Sequence, residues 1–147
     1  MTGQEALVVN VDMNIGLEVL MDNPSSVGTD LIVGAVAGIN RYPVPLILID
    51  MGTATTICVV NENKQYIGGM ILPGIGVSMN SLTSRTAQLP RISLDPPKRL
   101  IGKNTVECMQ SGALYGNASC IDGMVDRIQE ELGQEATIVA TGGLAKR

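Results

Sequence analysis

The residues best equipped for chemistry stand together at Asp50-Met-Gly-Thr-Ala-Thr-Thr56. An apolar run, Leu46 to Ile49, leads into them, and a β-rich run, Ile57 to Val60, leads away. The pattern predicts strand, tight turn, strand, with Asp50, Gly52, Thr53, Thr55 and Thr56 around the tip. A tip of this kind presents free backbone N–H groups, hydroxyls and one carboxylate. Those groups grip phosphate oxygens, and a carboxylate beside them suits Mg²⁺ or K⁺, which take oxygen ligands. The same string also fits an ordinary polar β-turn, and residue types alone leave both readings open.

Three further segments carry the same kind of signal. Ala140-Thr-Gly-Gly-Leu-Ala145 reads as a strand entering a Gly-Gly turn. Such a turn lets a backbone approach a ligand closely, or it is merely a tight connection. Gly68-Gly-Met-Ile-Leu-Pro-Gly74 places glycines inside a strand. That marks a bulge, or the close approach of another backbone or a ligand. Val27-Gly-Thr-Asp30 puts a carboxylate before an apolar helix, where an N-cap is the plain alternative to a functional acid.

The elements that must position these groups follow from periodicity and punctuation. Short strands are expected at 6–12 and 17–21, then a turn at Asp22-Asn-Pro-Ser-Ser26. A buried helix of small apolar residues covers 29–40, closed by Asn40 ahead of Pro43 and Pro45. Strands at 46–50, 55–61 and 65–72 make a meander, with Asn61-Glu-Asn-Lys64 as its second reversal. A helix over 76–88 stops before Pro90, and Pro96 and Pro97 keep 90–101 extended. Asn104 is placed as an N-cap with Glu107 at N3, close to a capping box. Behind it, Ile121, Met124, Val125, Ile128 and Leu132 share a helical face. Gly112, Gly116 and Gly123 interrupt this stretch, which reads as one helix or two. Gly133 is the expected C-cap, and 136–140 a final strand.

Composition excludes several classes. Of 147 residues, 45% are hydrophobic and 16% charged, enough for one domain with a core. Phe and Trp are absent, so Val, Ile, Leu, Ala and the 8 Met must fill it. A net charge of −4, with no basic cluster or aromatic platform, speaks against nucleic acid as a partner. Without histidine or a CxxC pair there is no Cys/His zinc site, and acid–base chemistry falls to Asp, Glu, Lys, Tyr or Cys. Three widely spaced cysteines fit a reducing cytoplasm. No apolar run is long enough to span a membrane, and the first residues lack a basic n-region.

In order and spacing these segments resemble the type III pantothenate kinases. The residues that carry the resemblance are Gly28-Thr-Asp-Leu31, Asp50-Met-Gly-Thr-Ala-Thr-Thr56, Gly69-Met-Ile-Leu-Pro-Gly74, Ser84-Arg-Thr-Ala-Gln-Leu-Pro90, Ile101-Gly-Lys-Asn-Thr105 and Thr141-Gly-Gly-Leu144. The fold implied is α/β, a ribonuclease-H-like lobe of the actin and Hsp70 type, with a mixed sheet and flanking helices. Residues 1–45 would be a remnant of the first lobe with the pantothenate-site helix, and 46–147 the second lobe. The activity implied is ATP-dependent phosphorylation of the terminal hydroxyl of pantothenate, the first step of coenzyme A synthesis. It would use ATP, Mg²⁺ and a monovalent cation, K⁺ or NH₄⁺, in a cytoplasmic homodimer.

Position by position, the resemblance makes Asp30 the base at the pantothenate hydroxyl and Gly28 a lining of that pocket. Asp50 would lie at the cation, and Gly52, Thr53, Ala54 and Thr55 at the phosphates. Gly142 and Gly143 would sit near the adenine end, and Thr105 would reach the pantothenate of a neighbouring subunit. Two departures stand out. No Asp-x-Gly-Asn-Thr string occurs; Asn10-Val-Asp-Met-Asn14 is the nearest and lacks the glycine. Leu31 stands where the family has an Arg that would pair with the pantothenate carboxylate, and an isobutyl group makes no such pair. The sequence therefore reads as a family member cut at both ends, with one of two phosphate loops. The expectation is a chain incompetent alone, or a non-catalytic dimerising or nucleotide-sensing relative.

Overall fold

The computed structural model describes Met13 and residues 16–145. The strand expected at 6–12 lies outside the described residues. The protein is mixed α/β, and its sheet has five strands in the order β1-β4-β3-β2-β5. These are β1 (Glu18–Val19), β2 (Leu46–Met51), β3 (Ala54–Val60), β4 (Gln65–Pro73) and β5 (Thr137–Thr141). The meander expected from the sequence is thus the centre of the sheet. β1 joins its edge in parallel, Glu18 opposite Gln65 and Val19 opposite Tyr66. The chain divides into two compact units. One comprises Met1–Ile49, Ile57–Met70 and Ala136–Val139, the other Asp50–Thr56, Ile71–Glu135 and Ala140–Arg147.

In the first unit, α1 (Thr29–Ile39) lies against the sheet. Ala35 and Ile39 join Leu46, Leu48, Cys58, Val60 and Tyr66 in one apolar cluster. The contact is close because residue 38 is glycine: a Cβ there would stand 2.6 Å from Leu46 Cδ2. Leu46 to Ile49 are all buried, so both faces of β2 are covered, which explains an unbroken apolar run in place of alternation. Gly69 answers to a backbone. Its Cβ would meet the Ile57 carbonyl of the neighbouring strand, so the strand-glycine signal here marks strand packing.

The second unit carries α2 (Ile75–Ser84) and α3 (Thr105–Leu132), which pack on each other. α2 ends at Ser84, four residues before the expected 88. The cause is local: Arg85 leaves helical geometry at φ −106° and ψ 3°. Thr86 Oγ1 donates to the Leu82 carbonyl at 2.8 Å, the acceptor its own N–H would use in a further turn, while Thr83 and Ser84 turn their hydroxyls onto the carbonyls of Met79, Asn80 and Ser81. α3 is a single helix of 28 residues, not two. A Cβ at Gly112 or Gly116 would meet nothing within 4 Å, so these glycines cost only propensity, about 1 kcal/mol each. Buried Met109, Ala113, Val125 and Ile128 hold the helix across them.

The ends of α3 are as the sequence dictates. Asn104 Oδ1 accepts the Glu107 N–H at 2.9 Å, and Glu107 Oε2 accepts the N–H of Lys103 at 3.1 Å. The reciprocal bond therefore lands one residue ahead of the N-cap. Gly133 closes the helix in the left-handed region at φ 68°. Among the described residues no helix is long and apolar enough to cross a membrane.

Candidate functional site

β2 and β3 leave only Gly52 and Thr53 between them. The Gly52 N–H donates to the Ala54 carbonyl at 3.0 Å, which makes the reversal tight. Gly52 and Thr53 are exposed, Asp50, Ala54 and Thr56 are half-buried, and Thr55 is buried. The tip is thus a two-residue turn whose open surface is backbone and one threonine hydroxyl, with the Asp50 carboxylate at its base.

Two other turns close on this tip, each through a glycine. Gly74 follows β4 and heads α2; its N–H donates to the Thr53 carbonyl at 3.1 Å. A Cβ on Gly74 would fall 2.4 Å from Thr53 O and 2.5 Å from Gly52 O. Gly142 follows β5 at φ +96°, and a Cβ there would fall 2.5 Å from Asp50 Oδ1 and 2.6 Å from Met51 O. The Leu144 N–H then donates to Met51 O at 3.3 Å. Each glycine is therefore required by close approach, and Gly142 by its backbone angle as well. The outcome is a cradle of hairpin tip, Gly74 and Gly142 in which Asp50 faces a surface free of side chains. Gly143 is different: a Cβ there would meet nothing within 4 Å.

The donor set here is all oxygen and amide. Among the described residues no group of three or more His, Cys, Asp or Glu could hold a metal ion. A cation at Asp50 would therefore have one protein carboxylate and would draw its other ligands from water and phosphate oxygens, which is how Mg²⁺ binds beside nucleotides. Asp50 and the open cradle fit such an ion.

The remaining site residues lie elsewhere. Gly28 and Asp30 belong to the first unit. Gly28 is itself the N-cap of α1 and Asp30 is the second helical residue, so the N-cap alternative for Asp30 falls away. The Asp30 carboxylate is exposed and folds over Gly28, with Oδ1 2.5 Å from where a Cβ would be. An acid in the first turn is favoured by the helix dipole. Leu31 also lies beside Gly28, its Cγ 3.8 Å from the same point, and packs against the apolar cluster. Thr105 opens α3 in the second unit and lines a groove of about 480 Å³ with Ile75, Met79, Leu82, Cys108 and Met109.

Sequence reasoning missed two features. It places Gly74 in the strand-glycine segment without pairing it with the hairpin tip, although the Pro73-Gly74 pair at a strand–helix junction is the signal of a tight approach. Tyr66 was not singled out. It is buried, its hydroxyl donates to Cys58 Sγ at 3.7 Å, and burial first, then the Cys58 bond and charge and the charge of Asp30, push its phenol well above the ordinary value.

Comparison with known proteins completes the picture. The family model described as type III pantothenate kinase matches residues 1–127. A type III pantothenate kinase of Bacillus cytotoxicus is 53% identical over 140 residues, which is 95% of this chain and 53% of that protein. The chain thus spans about half the length of the curated relative it matches. A conserved protein of Campylobacter jejuni, described as a Baf family transcriptional activator, has a crystal structure similar at 24% identity and TM-score 0.45, over 66% of this chain and 42% of that one. At that identity and score the likeness carries no functional argument. The family model and the identity to the Bacillus protein, over nearly all of the chain, agree with the ordered motifs: the chain belongs to the type III pantothenate kinase family.

Proposed function

We propose that this chain is the nucleotide-gripping part of an enzyme that phosphorylates pantothenate with ATP, at the entry to coenzyme A synthesis. The observation that carries the proposal is the cradle at Asp50–Thr53. Two glycines from separate turns are pressed against one hairpin tip, and a carboxylate is held where a side chain would otherwise stand. A plain β-turn has no need of either contact.

In this reading Gly52, Thr53, Ala54 and Thr55 hold phosphate oxygens, and Asp50 holds Mg²⁺, with K⁺ or NH₄⁺ as a second cation. Gly142 and Gly143 face the adenine end. A divalent cation there supplies charge neutralisation to the transferring phosphoryl group. The residues of the chain position and bind, which is most of what phosphoryl transfer asks of a protein. Asp30 accepts the hydroxyl proton, Gly28 lines the pantothenate pocket, and Thr105 serves the pocket of a second copy. The five-stranded sheet with its helices fits an actin-like ATPase lobe, with 1–45 as the pantothenate-site portion and 46–147 as the nucleotide lobe. A cytoplasmic homodimer follows from the same reading; exposed Leu82 lines the Thr105 groove and would be covered by a second copy.

A second reading has its own observation. Leu31 packs into the apolar cluster, and α1 carries no basic residue. A nucleotide-binding relative without turnover would look like this. The two readings separate in one assay, ADP release dependent on both pantothenate and ATP. It should be run on the 147-residue chain and on the whole gene product containing it. Turnover by the gene product that is abolished by Asp50→Asn supports the kinase. No pantothenate-dependent ADP from the gene product refutes it. ATP binding without turnover supports the second reading.

A further inference from the structure

The Ser84–Pro90 motif has no part in the site above, yet it shapes a pocket of its own. The C-terminal half of α2 and the chain that folds back after it border an open surface depression of about 660 Å³, whose arginines, Asn80 and serines are all exposed. Asn80, Ser81 and Ser84 line it from the helix, Arg85 and Arg91 from the return, with Val77 and Leu89 as apolar walls. No acidic residue lines it, in a chain whose Asp and Glu outnumber Lys and Arg by 14 to 10.

A routine task for arginines at this place is to satisfy the open carbonyls of a helix C-terminus. Neither guanidinium does that here, and hydroxyls and a backbone N–H take several of the carbonyls instead. Thr83 Oγ1 donates to Met79 O and Asn80 O, Ser84 Oγ to Ser81 O, and Thr86 Oγ1 to Leu82 O. The Arg85 backbone N–H also reaches Ser81 O. Among the described residues neither guanidinium takes part in a hydrogen bond or ion pair. Two planar forks with up to ten N–H donors, one amide and a serine hydroxyl therefore border one depression that carries no acidic side chain.

We propose that this pocket is a binding site for a phosphomonoester, distinct from the Asp50 cradle. The two guanidiniums take the phosphate oxygens in bidentate fashion, and Asn80 and Ser81 donate to those remaining. The pocket is several times larger than a bare phosphate needs, and Val77 and Leu89 supply the apolar wall for an organic group attached to it. The site does not depend on the kinase reading.

The test is titration calorimetry of the whole chain with inorganic phosphate, phenyl phosphate and benzoate as probes, at fixed ionic strength. Phenyl phosphate should bind most tightly and benzoate least. Arg85→Gln and Arg91→Gln should each weaken phenyl phosphate by about tenfold or more, the loss expected for one charged hydrogen-bond partner. Arg85→Lys should fall between, because it keeps the charge and loses the fork. Arg127→Gln, on α3, makes the same change in net charge and should leave affinity unaltered. Circular dichroism on each variant separates a lost site from a lost fold. Equal weakening by Arg127→Gln would show general charge attraction and overturn the proposal. So would unaltered affinity in the Arg85 and Arg91 variants, or no binding of phenyl phosphate to the parent chain.

Discussion

Replacing Gly142 by alanine puts a methyl group where two oxygens already stand. The Cβ would lie 2.5 Å from Asp50 Oδ1 and 2.6 Å from Met51 O, with the Met51 carbonyl carbon at 2.7 Å. The Asp50 carboxylate is the end of a side chain and could swing aside, but the Met51 carbonyl belongs to the β2 backbone and could not. Moving the 142 turn outward instead would stretch the Leu144 N–H to Met51 O bond, already 3.3 Å. The backbone angle adds its own cost, since φ +96° suits glycine. An L-residue in left-handed geometry costs about 1–2 kcal/mol, and overpacking a filled site about 1–3 kcal/mol. The sum is about 2–5 kcal/mol.

Gly143→Ala is the matched control. Its Cβ would meet nothing within 4 Å, so the change should stay within about 0.5 kcal/mol. Urea unfolding of the three proteins reads the stability difference. Fluorescent ATP-analogue titration reads the consequence at the cradle, because Asp50 must move in the Gly142 variant. If Gly142→Ala unfolds within about 0.5 kcal/mol of the parent, or binds the analogue as tightly as the parent does, the close-approach reasoning is wrong.

Three other outcomes follow from the structure. Asn104→Ala removes the acceptor for the Glu107 N–H and should cost about 1 kcal/mol, measured by chemical denaturation, with Asn104→Asp largely restoring it. Gly116→Ala lies in the interior of α3 with open space around its Cβ, and should raise stability by up to about 1 kcal/mol in the same assay. Tyr66 has its phenol pushed up from 10.0 by burial, so its neutral form is the one the fold prefers. That contribution is complete below about pH 10, where the phenol of the unfolded chain begins to ionise, and is lost as pH rises further. Stability measured from pH 9 to 11 should therefore fall more steeply for the parent than for Tyr66→Phe, by up to about 1.4 kcal/mol per pH unit; parallel slopes would contradict it.

Much of the fold was legible because its signals are local. The strands of the meander, α1 with Asn40, the Asn104 cap and the Gly133 stop each announce themselves within a few residues. What failed was also local in cause but competed with a stronger local rule. Pro90 suggested that α2 would run on to 88, yet Arg85 leaves helical geometry and the Thr86 hydroxyl takes the Leu82 carbonyl. Gly112 and Gly116 suggested a break in α3, yet burial on both sides of them outweighs about 1 kcal/mol each. At the site, the sequence pointed to Asp50 and the Gly-Gly turn. It did not tell Gly142 from Gly143, since only backbone angle and distance to β2 separate them. Gly74 joined the cradle for the same reason, a contact between segments about twenty residues apart that no local pattern encodes.

Leu31, where the resemblance places an Arg, and the cradle residues belong to different units of the molecule. Leu31 belongs to the first unit, where it adds to the apolar cluster under α1. A leucine there gains burial that a guanidinium would not, so the substitution favours the packing of this unit whatever it does to substrate. The hairpin tip, Gly74 and Gly142 all belong to the second unit, and their contacts are with one another. A change at residue 31 therefore removes no atom from the contacts that build the cradle. Gly142 is fixed twice over, by φ +96° and by its approach to Asp50 and Met51 O. No side chain therefore enters there without movement of Asp50 or of the β2 backbone, and these contacts lie wholly within the second unit.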